Sequence, residues 1–213
     1  MRVFAVLTVS FVLLAGAAPA SAGIIAYTGI PTDDGFWGLS GYDGHFGFHQ
    51  WFAGQFEVTS PTIITGLEGY ISNQNFSAGI EATYTVALYS DGGEVPGLEI
   101  FAGEATIAPG FEGFSGLTSL NIPVLSGLYW IALEVQPGQT LDGWVRRTAP
   151  HPFANEAYNN GTTGGVYLPF DHFSVGYRVT GVPEPATLLL LGMGAAGVVV
   201  NARRRRKQVS GAR

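Results

Sequence analysis

The middle of the chain consists of short runs in which two kinds of side chain alternate. In residues 82–88, the positions of one parity (every second residue) hold Ala82, Tyr84, Val86 and Leu88. The positions of the other parity, between them, hold two threonines and an alanine. Successive side chains of a strand point to opposite faces of a sheet, so this period of two predicts strands with one buried face. Similar runs predict further strands at residues 55–58, 62–71, 98–107, 129–135, 144–148 and 173–180.

Turn-forming residues separate these runs. Asp-Gly-Gly occurs at 91–93, Pro-Gly at 96–97 and 137–138, and Asn-Gly at 160–161. These combinations favour tight turns between neighbouring strands. Short strands joined in this way, without a repeat of fixed period, predict an all-β chain with a single antiparallel β-sandwich or jelly roll.

Residues 1–22 have the features of a secretory signal peptide. Arg2 supplies a positive charge, an apolar stretch follows, and Ala20 and Ala22 have the small-residue spacing that signal peptidase requires. We expect a signal helix, export through the Sec translocon, and cleavage by signal peptidase between Ala22 and Gly23. The alternative is a buried N-terminal element of the fold.

The charges are distributed unevenly along the chain. The net charge is −6 overall, but residues 23–182 contain fifteen acidic and three basic residues, which gives −12. An acidic domain of this kind repels nucleic acid, so we expect no nucleic-acid partner. The chain has no cysteine, so an exported domain would be held together by its core without disulfides.

The C-terminal segment combines a rigid motif, an apolar run and a cluster of cations. Pro183, Glu184 and Pro185 precede the apolar residues 186–202, which would form a helix of about 25 Å, short for a bilayer core of about 30 Å. The positive-inside rule places the following cations in the cytoplasm, where they would stop transfer. These stop-transfer residues are Arg203, Arg204, Arg205, Arg206 and Lys207.

This order of features resembles the PEP-CTERM sorting signal of Gram-negative bacteria. The resemblance implies recognition by an exosortase, a membrane protease or transpeptidase that cuts near the motif and passes the protein to the cell surface or the medium. It also implies transient inner-membrane anchoring and a setting in which extracellular polysaccharide is made. An ordinary membrane anchor that is never cut is the alternative.

Together these features predict four parts of the chain. They are the signal peptide at 1–22, the β-sandwich ectodomain at 23–181, the sorting signal at 182–207 with a transmembrane helix at 186–202, and a cytoplasmic tail at 208–213.

A second resemblance concerns the ectodomain. Residues 55–67, 84–97 and 125–133 are similar to blocks of β-sandwich ectodomains that are attached to PEP-CTERM tails. Those ectodomains resemble jelly-roll modules that include carbohydrate-binding domains. The similar blocks are structural, so the resemblance implies a fold and carries no active site.

Three tryptophans are candidates for contact with sugar rings. Trp37 and Trp51 lie in a stretch rich in glycine and aromatic residues, and Trp130 has the opposite parity to Tyr129 and Ile131. If the Tyr129 parity faces the core, we expect Trp130 to be exposed on the other face of its sheet. Packing in the core or at a sheet edge is the alternative, because aromatic residues dominate burial in small β domains.

Metal-binding motifs are weak in this sequence. His45 and His49 would share a face of a strand but lack an assigned third ligand, and ordinary histidines are the alternative. The acidic turns at Asp33 and Asp34 and at Asp91 offer carboxylates to calcium, but their spacing is not that of an EF-hand, and Asx turns are the alternative. We therefore expect no cofactor, with calcium as the one candidate.

No catalytic motif is evident. The chain has no cysteine nucleophile and no Gly-x-Ser-x-Gly sequence, and no serine is linked to a histidine and an aspartate by a known pattern. We expect a non-enzymatic surface or matrix protein associated with extracellular polysaccharide. A secreted polysaccharide hydrolase with two converging carboxyl groups and a calcium-dependent adhesion module are the alternatives.

Overall fold

The computed structural model describes residues 21–31, 36–39, 50–73, 81–148, 155–159, 165–170 and 174–184. Every regular element in these ranges is a β-strand. None of them contains a helix of the length and apolar character needed to cross a bilayer. The predicted all-β class is confirmed, whereas the predicted signal helix and the predicted helix at 186–202 lie outside the described residues.

The structure describes thirteen strands in these ranges. Their bounds are β1 Gly23–Tyr27, β2 Phe36–Gly38, β3 Trp51–Val58, β4 Thr62–Asn73, β5 Ala82–Asp91, β6 Pro96–Ile107, β7 Glu112–Val124, β8 Gly127–Glu134, β9 Gly143–Thr148, β10 Glu156–Asn159, β11 Leu168–Phe170, β12 Ser174–Val175 and β13 Tyr177–Pro183.

These strands form two antiparallel sheets. The first sheet has the order β1-β13-β4-β9-β12, with β2 paired to β9 and β7 paired to β4. The second sheet has the order β11-β10-β3-β8-β5-β6. Residues Ala22–Val182 form one compact unit that contains both sheets.

One hydrophobic core lies between the two sheets. Ile64, Leu67 and Ile71 of β4 contribute to it from the first sheet, and Val86 of β5 and Leu133 of β8 contribute from the second. The predicted buried parity of residues 82–88 is confirmed, because its four members all belong to this core. Burial of these aliphatic side chains from two facing sheets is the main stabilising contribution to the fold.

Gly69 of β4 sets how closely the sheets approach. A Cβ atom at this position would lie 2.2 Å from Cδ1 of Leu133 on the opposite sheet. Such a distance is possible only if the leucine or the backbone moves, so the close contact of the sheets at this point depends on glycine.

We expect Gly69→Ala to lower the free energy of unfolding by about 1–3 kcal/mol, because it overpacks the core. In a Leu133→Ala background the same change should cost almost nothing, since the opposing methyl groups are absent. Urea denaturation of the four proteins of this double-mutant cycle measures the coupling. Gly23→Ala is the matched control, because a Cβ atom there meets nothing within 4 Å. Equal costs in both backgrounds would contradict the contact.

The first and last strands of the compact unit pair with each other. Gly23 of β1 lies opposite Gly181 of β13, and the pairing continues to Tyr27 and Arg178 with one irregularity. β13 in turn lies between β1 and β4, so it is an interior strand of the first sheet. The residue after the predicted signal cleavage site therefore lies beside the strand that leads into the Pro-Glu-Pro motif.

Candidate functional site

The face of the second sheet that points away from the shared core carries a row of alanines. Across five neighbouring strands the paired residues are Ala102, Ala87, Ala132, Ala53 and Ala157. All except Ala102 are buried. We call this surface the outer face and these five residues the alanine row. Short side chains in line across a sheet leave a shallow channel between the longer side chains on either side.

Longer polar and aromatic side chains flank the alanine row on both sides. One flanking row runs across five strands, and the other across four strands. The first contains Glu104, Thr85, Glu134, Trp51 and Asn159, and the second contains Glu99, Tyr89, Trp130 and Gln55. The outer face thus combines flat aromatic groups with carboxylates and amides.

Tyrosines from two different segments close the channel. Tyr89 starts in one flanking row, and its hydroxyl reaches Glu134 in the other, so its side chain spans the alanine row. Tyr167, which precedes β11, packs into the same cluster, with its ring 5.8 Å from that of Trp51 and 5.9 Å from that of Tyr89. These contacts explain why alanines that point away from the core are nevertheless buried.

Glu134 is the acceptor at the centre of this cluster. Its Oε1 atom accepts hydrogen bonds from the hydroxyls of Tyr89 at 2.6 Å and Tyr167 at 2.7 Å, and its Oε2 atom accepts one from Nε2 of Gln136 at 2.5 Å. The side chain is only 1% exposed. Burial raises the pKa of Glu134 above its ordinary value, and the three hydrogen bonds only partly offset that effect. Burial and the adjacent Glu134 carboxyl also raise the pKa of Tyr89, so that tyrosine stays a donor.

A raised carboxyl pKa makes the folded protein hold its proton more tightly than the unfolded chain does. Above pH 4.5, the ordinary pKa of this carboxyl, the unfolded chain loses the Glu134 proton while the folded protein still holds it. The free energy of unfolding therefore falls with pH until the raised pKa of the folded state is passed. We expect Glu134→Gln to remove this decline, so the stability of the variant relative to wild type should rise with pH from about 4.5. Urea melts between pH 4 and 8 measure the difference, and parallel profiles would contradict it.

Asp91, the last residue of β5, accepts hydrogen bonds at one end of the outer face, next to the β5–β6 turn. Its Oδ1 atom accepts hydrogen bonds from Nε2 of Gln55 at 2.7 Å, Nε1 of Trp130 at 3.2 Å and the backbone N–H of Gly93 at 3.1 Å. Desolvation acts to raise the pKa of Asp91, but these three hydrogen bonds outweigh it and lower the pKa. The bond to Gly93 is that of an Asx turn.

The structure describes only some of the candidate metal ligands. Asp33, Asp34, His45 and His49 lie outside the described residues. Within the described parts of the chain, no three His, Cys, Asp or Glu side chains lie close enough together to hold a metal ion. Asp91 is described, and the three hydrogen bonds to its Oδ1 come from nitrogen donors.

The structure places two of the three candidate tryptophans on the outer face. Trp130 points away from the core as its parity predicted, but the prediction that it is exposed is wrong, because it is 0% exposed beneath this cluster. Trp51 is half-buried and its indole N–H donates to the carbonyl of Val135 at 3.1 Å. Trp37 lies on β2 opposite Val145 of β9, and its side chain is not described.

The outer face does not present Glu134 to a ligand. Its oxygens accept three hydrogen bonds and are covered by Tyr89 and Tyr167. Glu104 is exposed on the edge strand β6, two strands away in the same row, which corresponds to about 10 Å between Cα atoms. The accessible polar groups of this face include Asp91, Glu99, Glu104 and the half-buried Gln136.

The residues of the predicted processing sites lie at the ends of two paired strands. Ala22 and Gly23 are exposed at the start of β1, and Ala20 lies outside the described residues. Pro183 is the last residue of β13 and is exposed, and Glu184 directly after it is half-buried. Pro185 and the stop-transfer cations at 203–207 lie outside the described residues.

Searches of curated proteins and of solved structures found no match. A family model described as the PEP-CTERM protein-sorting motif matches residues 181–206, from the end of β13 through the apolar run to the arginine cluster. A motif of this family implies an exosortase as the processing partner, with export and C-terminal membrane anchoring before cleavage. The chain therefore carries a PEP-CTERM protein-sorting motif, and this motif begins within the last strand of its β-rich unit.

Proposed function

We propose that this chain is an exported, non-catalytic protein that an exosortase delivers to the cell surface or the extracellular matrix. The observation that carries the proposal is the sorting motif at 181–206, which begins within the last strand of a folded β-rich unit. In this proposal the Sec translocon exports the chain, and signal peptidase removes residues 1–22. The apolar run at 186–202 then holds the protein in the inner membrane until the exosortase cuts near Pro183, Glu184 and Pro185.

The test of this proposal is the fate of the protein in a host strain that lacks its exosortase. We expect full-length protein lacking only the signal peptide to accumulate in the inner-membrane fraction, because the apolar run is then never separated from the ectodomain. The wild-type strain should instead contain a shorter form at the surface or in the medium. An identical distribution and size in both strains would refute exosortase-dependent sorting.

We further propose that the ectodomain is a jelly-roll-like sandwich whose outer face associates with extracellular polysaccharide. Two antiparallel sheets around one core support the fold, and the half-buried aromatic rings of Trp51 and Tyr89 beside amide and carboxyl groups support sugar binding. Flat aromatic rings with a few polar groups beside them are typical of sites for small polar ligands. The net charge of −12 over residues 23–182 favours neutral or cationic polymers over anionic ones.

Retention on the host's own polysaccharide tests this association. We expect Trp51→Ala to weaken retention, while Leu98→Ala, at an 81% exposed position on β6, should leave it unchanged. Both variants are compared after their circular dichroism spectra have been matched to wild type. Absence of retention for wild type at every salt and calcium concentration would refute the association. Release of soluble sugars would instead support the hydrolase alternative.

A further inference from the structure

We propose that β6 is an open edge of the second sheet, to which an extended cationic segment of another polypeptide adds as a further strand. β6 stands last in the strand order of that sheet. Among the strands that the structure describes, it pairs with β5 alone. This binding requires neither processing of the sorting motif nor a saccharide on the outer face, so it goes beyond the function proposed above.

The direction of the backbone groups in β6 follows from its register with β5. Thr83 of β5 lies opposite Thr106 of β6, yet its backbone N–H and carbonyl bond to residues 140 and 141 instead. Thr83 and Thr106 are therefore a non-hydrogen-bonded pair, and such pairs recur at every second position of an antiparallel ladder. The next pairs of this kind along the register are Thr85 with Glu104 and Ala87 with Ala102.

Three residues of β6 therefore turn their backbone N–H and carbonyl groups towards the free edge. They are Ala102, Glu104 and Thr106, and all three are exposed. A row of donors and acceptors of this kind is a template on which an incoming strand can form main-chain hydrogen bonds.

The other edges of the two sheets are less suited to an added strand. β11, at the opposite end of the second sheet, has three residues, and β1 and β12, at the ends of the first sheet, have five and two. Short edge strands and bulges are devices that prevent pairing with another chain.

β7 is long, and β4 is its one partner among the described strands, but its ladder is interrupted. The register shifts between Ile64 and Gly66 of β4, and Ser119 in the shifted part of β7 has a φ of 59°. β6 has twelve residues, and both shifts in its register with β5 lie before Phe101. Its backbone is therefore regular over residues 101–107, which include no lysine and no proline.

The charges beside this edge are all negative. Asp91, Glu94, Glu99 and Glu104 are exposed, and residues 81–145 contain no lysine and no arginine. Opposite charges on directly opposite residues of neighbouring strands stabilise the pairing, and like charges destabilise it. The edge therefore favours an incoming strand that places lysine or arginine side chains on the same face as Glu104.

A second copy of the chain is a poorer partner for this edge than a cationic segment. Antiparallel pairing of two β6 strands about Glu104 would place the two Glu104 side chains directly opposite each other. In any register each copy also brings its own acidic β5–β6 region and a net charge of −12 over residues 23–182. Leu98 and Ile100, which are 81% and 42% exposed on β6, offer contacts to apolar side chains of the incoming segment.

Amide hydrogen exchange, measured by NMR on the full chain in a non-ionic detergent, tests the edge itself. We expect the amides of Ala102, Glu104 and Thr106 to exchange rapidly, while the alternating amides between them, which face β5, are protected. A synthetic peptide of alternating threonine and lysine should protect the first set. Protection of these three amides in the chain without peptide would overturn the proposal, because the edge would already be paired.

Fluorescence anisotropy of the same peptide, labelled with a dye, measures the affinity. We expect Ala102→Pro to weaken binding at least about tenfold, because it removes a donor at the free edge and none that bonds to β5. Glu104→Gln should weaken binding about two- to fivefold. Glu57→Gln is the matched control, since it removes an exposed carboxylate from the interior strand β3, and it should bind like wild type. Melting temperatures of all variants are compared with wild type.

A second peptide, methylated at the backbone nitrogen of each lysine, separates strand addition from attraction between charges. It keeps every positive charge but lacks the donors that face β6, so we expect no measurable binding. Equal binding of the two peptides, absence of binding to wild type, or an unchanged affinity for Glu104→Gln would each overturn the proposal. A dimer of the chain that competes with the peptide would assign the edge to a second copy and would overturn it as well.

Discussion

Replacing Pro183, Glu184 and Pro185 together by alanine is expected to leave nearly all of the protein uncut and bound to the inner membrane. The apolar run and the cations that follow it are unchanged, so the variant should still be exported and anchored. The prolines fix the backbone and remove two amide donors, and Glu184 supplies the single charge between the sheet and the apolar run. Fractionation and immunoblotting measure the result as at least a tenfold fall in the surface form.

The matched control is Pro123→Ala, which removes an exposed proline from β7 outside the sorting motif. It should be processed like wild type. Melting of the two purified ectodomains, which should agree closely, shows that any loss of surface protein arises from the motif and not from misfolding. Normal processing of the triple variant would contradict the role assigned to Pro-Glu-Pro.

Replacing Trp130 by alanine is expected to lower the free energy of unfolding by about 3–5 kcal/mol, since it removes a large and completely buried side chain. The change would empty the space next to the alanine row and would also leave Asp91 without one of its three donors. For a chain of this size the melting temperature should fall by on the order of 10 °C. Urea denaturation and thermal melting of the ectodomain measure the effect.

Two comparisons separate the packing of Trp130 from its hydrogen bond. Trp130→Phe keeps most of the ring and loses the indole N–H, so it should cost clearly less than the alanine variant. Leu98→Ala, at an exposed apolar position, should change stability by less than about 0.5 kcal/mol. A Trp130→Ala protein as stable as wild type would contradict the buried cluster on the outer face.

The strand pattern was readable from the sequence wherever alternation was strict. The buried parity of residues 82–88 and the inward orientation of Ile131 and Leu133 follow directly from the period of two. β7 was not predicted, because the sequence EGFSGLTSLNIPV contains two glycines and no regular alternation. β10 has only four residues, too few for a pattern to stand out from its surroundings.

The candidate site was harder to predict than the strands. Parity placed Trp130 on the outer face, but its burial depends on Tyr167, which lies 37 positions later in a segment without a strand pattern. Glu134 accepts from Tyr89, 45 residues away, and from Tyr167, 33 residues away. Such contacts depend on the register between strands, which a single sequence does not specify. The shared parity of Trp130 and Glu134 in β8 was the one available signal.

The proposed processing would change the net charge of the protein. Removal of both ends takes away most of the basic residues, so residues 23–182 carry −12, compared with −6 for the whole chain. The acidic ectodomain and the basic tail therefore have separate roles in this account. In the proposed processing the tail directs insertion and is removed, and the acidic β-rich unit remains outside the cell.

The central claim is that the C-terminal segment is a sorting signal that is removed from a folded ectodomain. The most direct test is the intact mass of the protein isolated from the cell surface or the medium. We predict a mass that lacks residues 1–22 and the apolar run with the cations that follow it, with or without the mass of an attached acceptor. A surface form whose mass includes the chain through Arg213 would contradict the account.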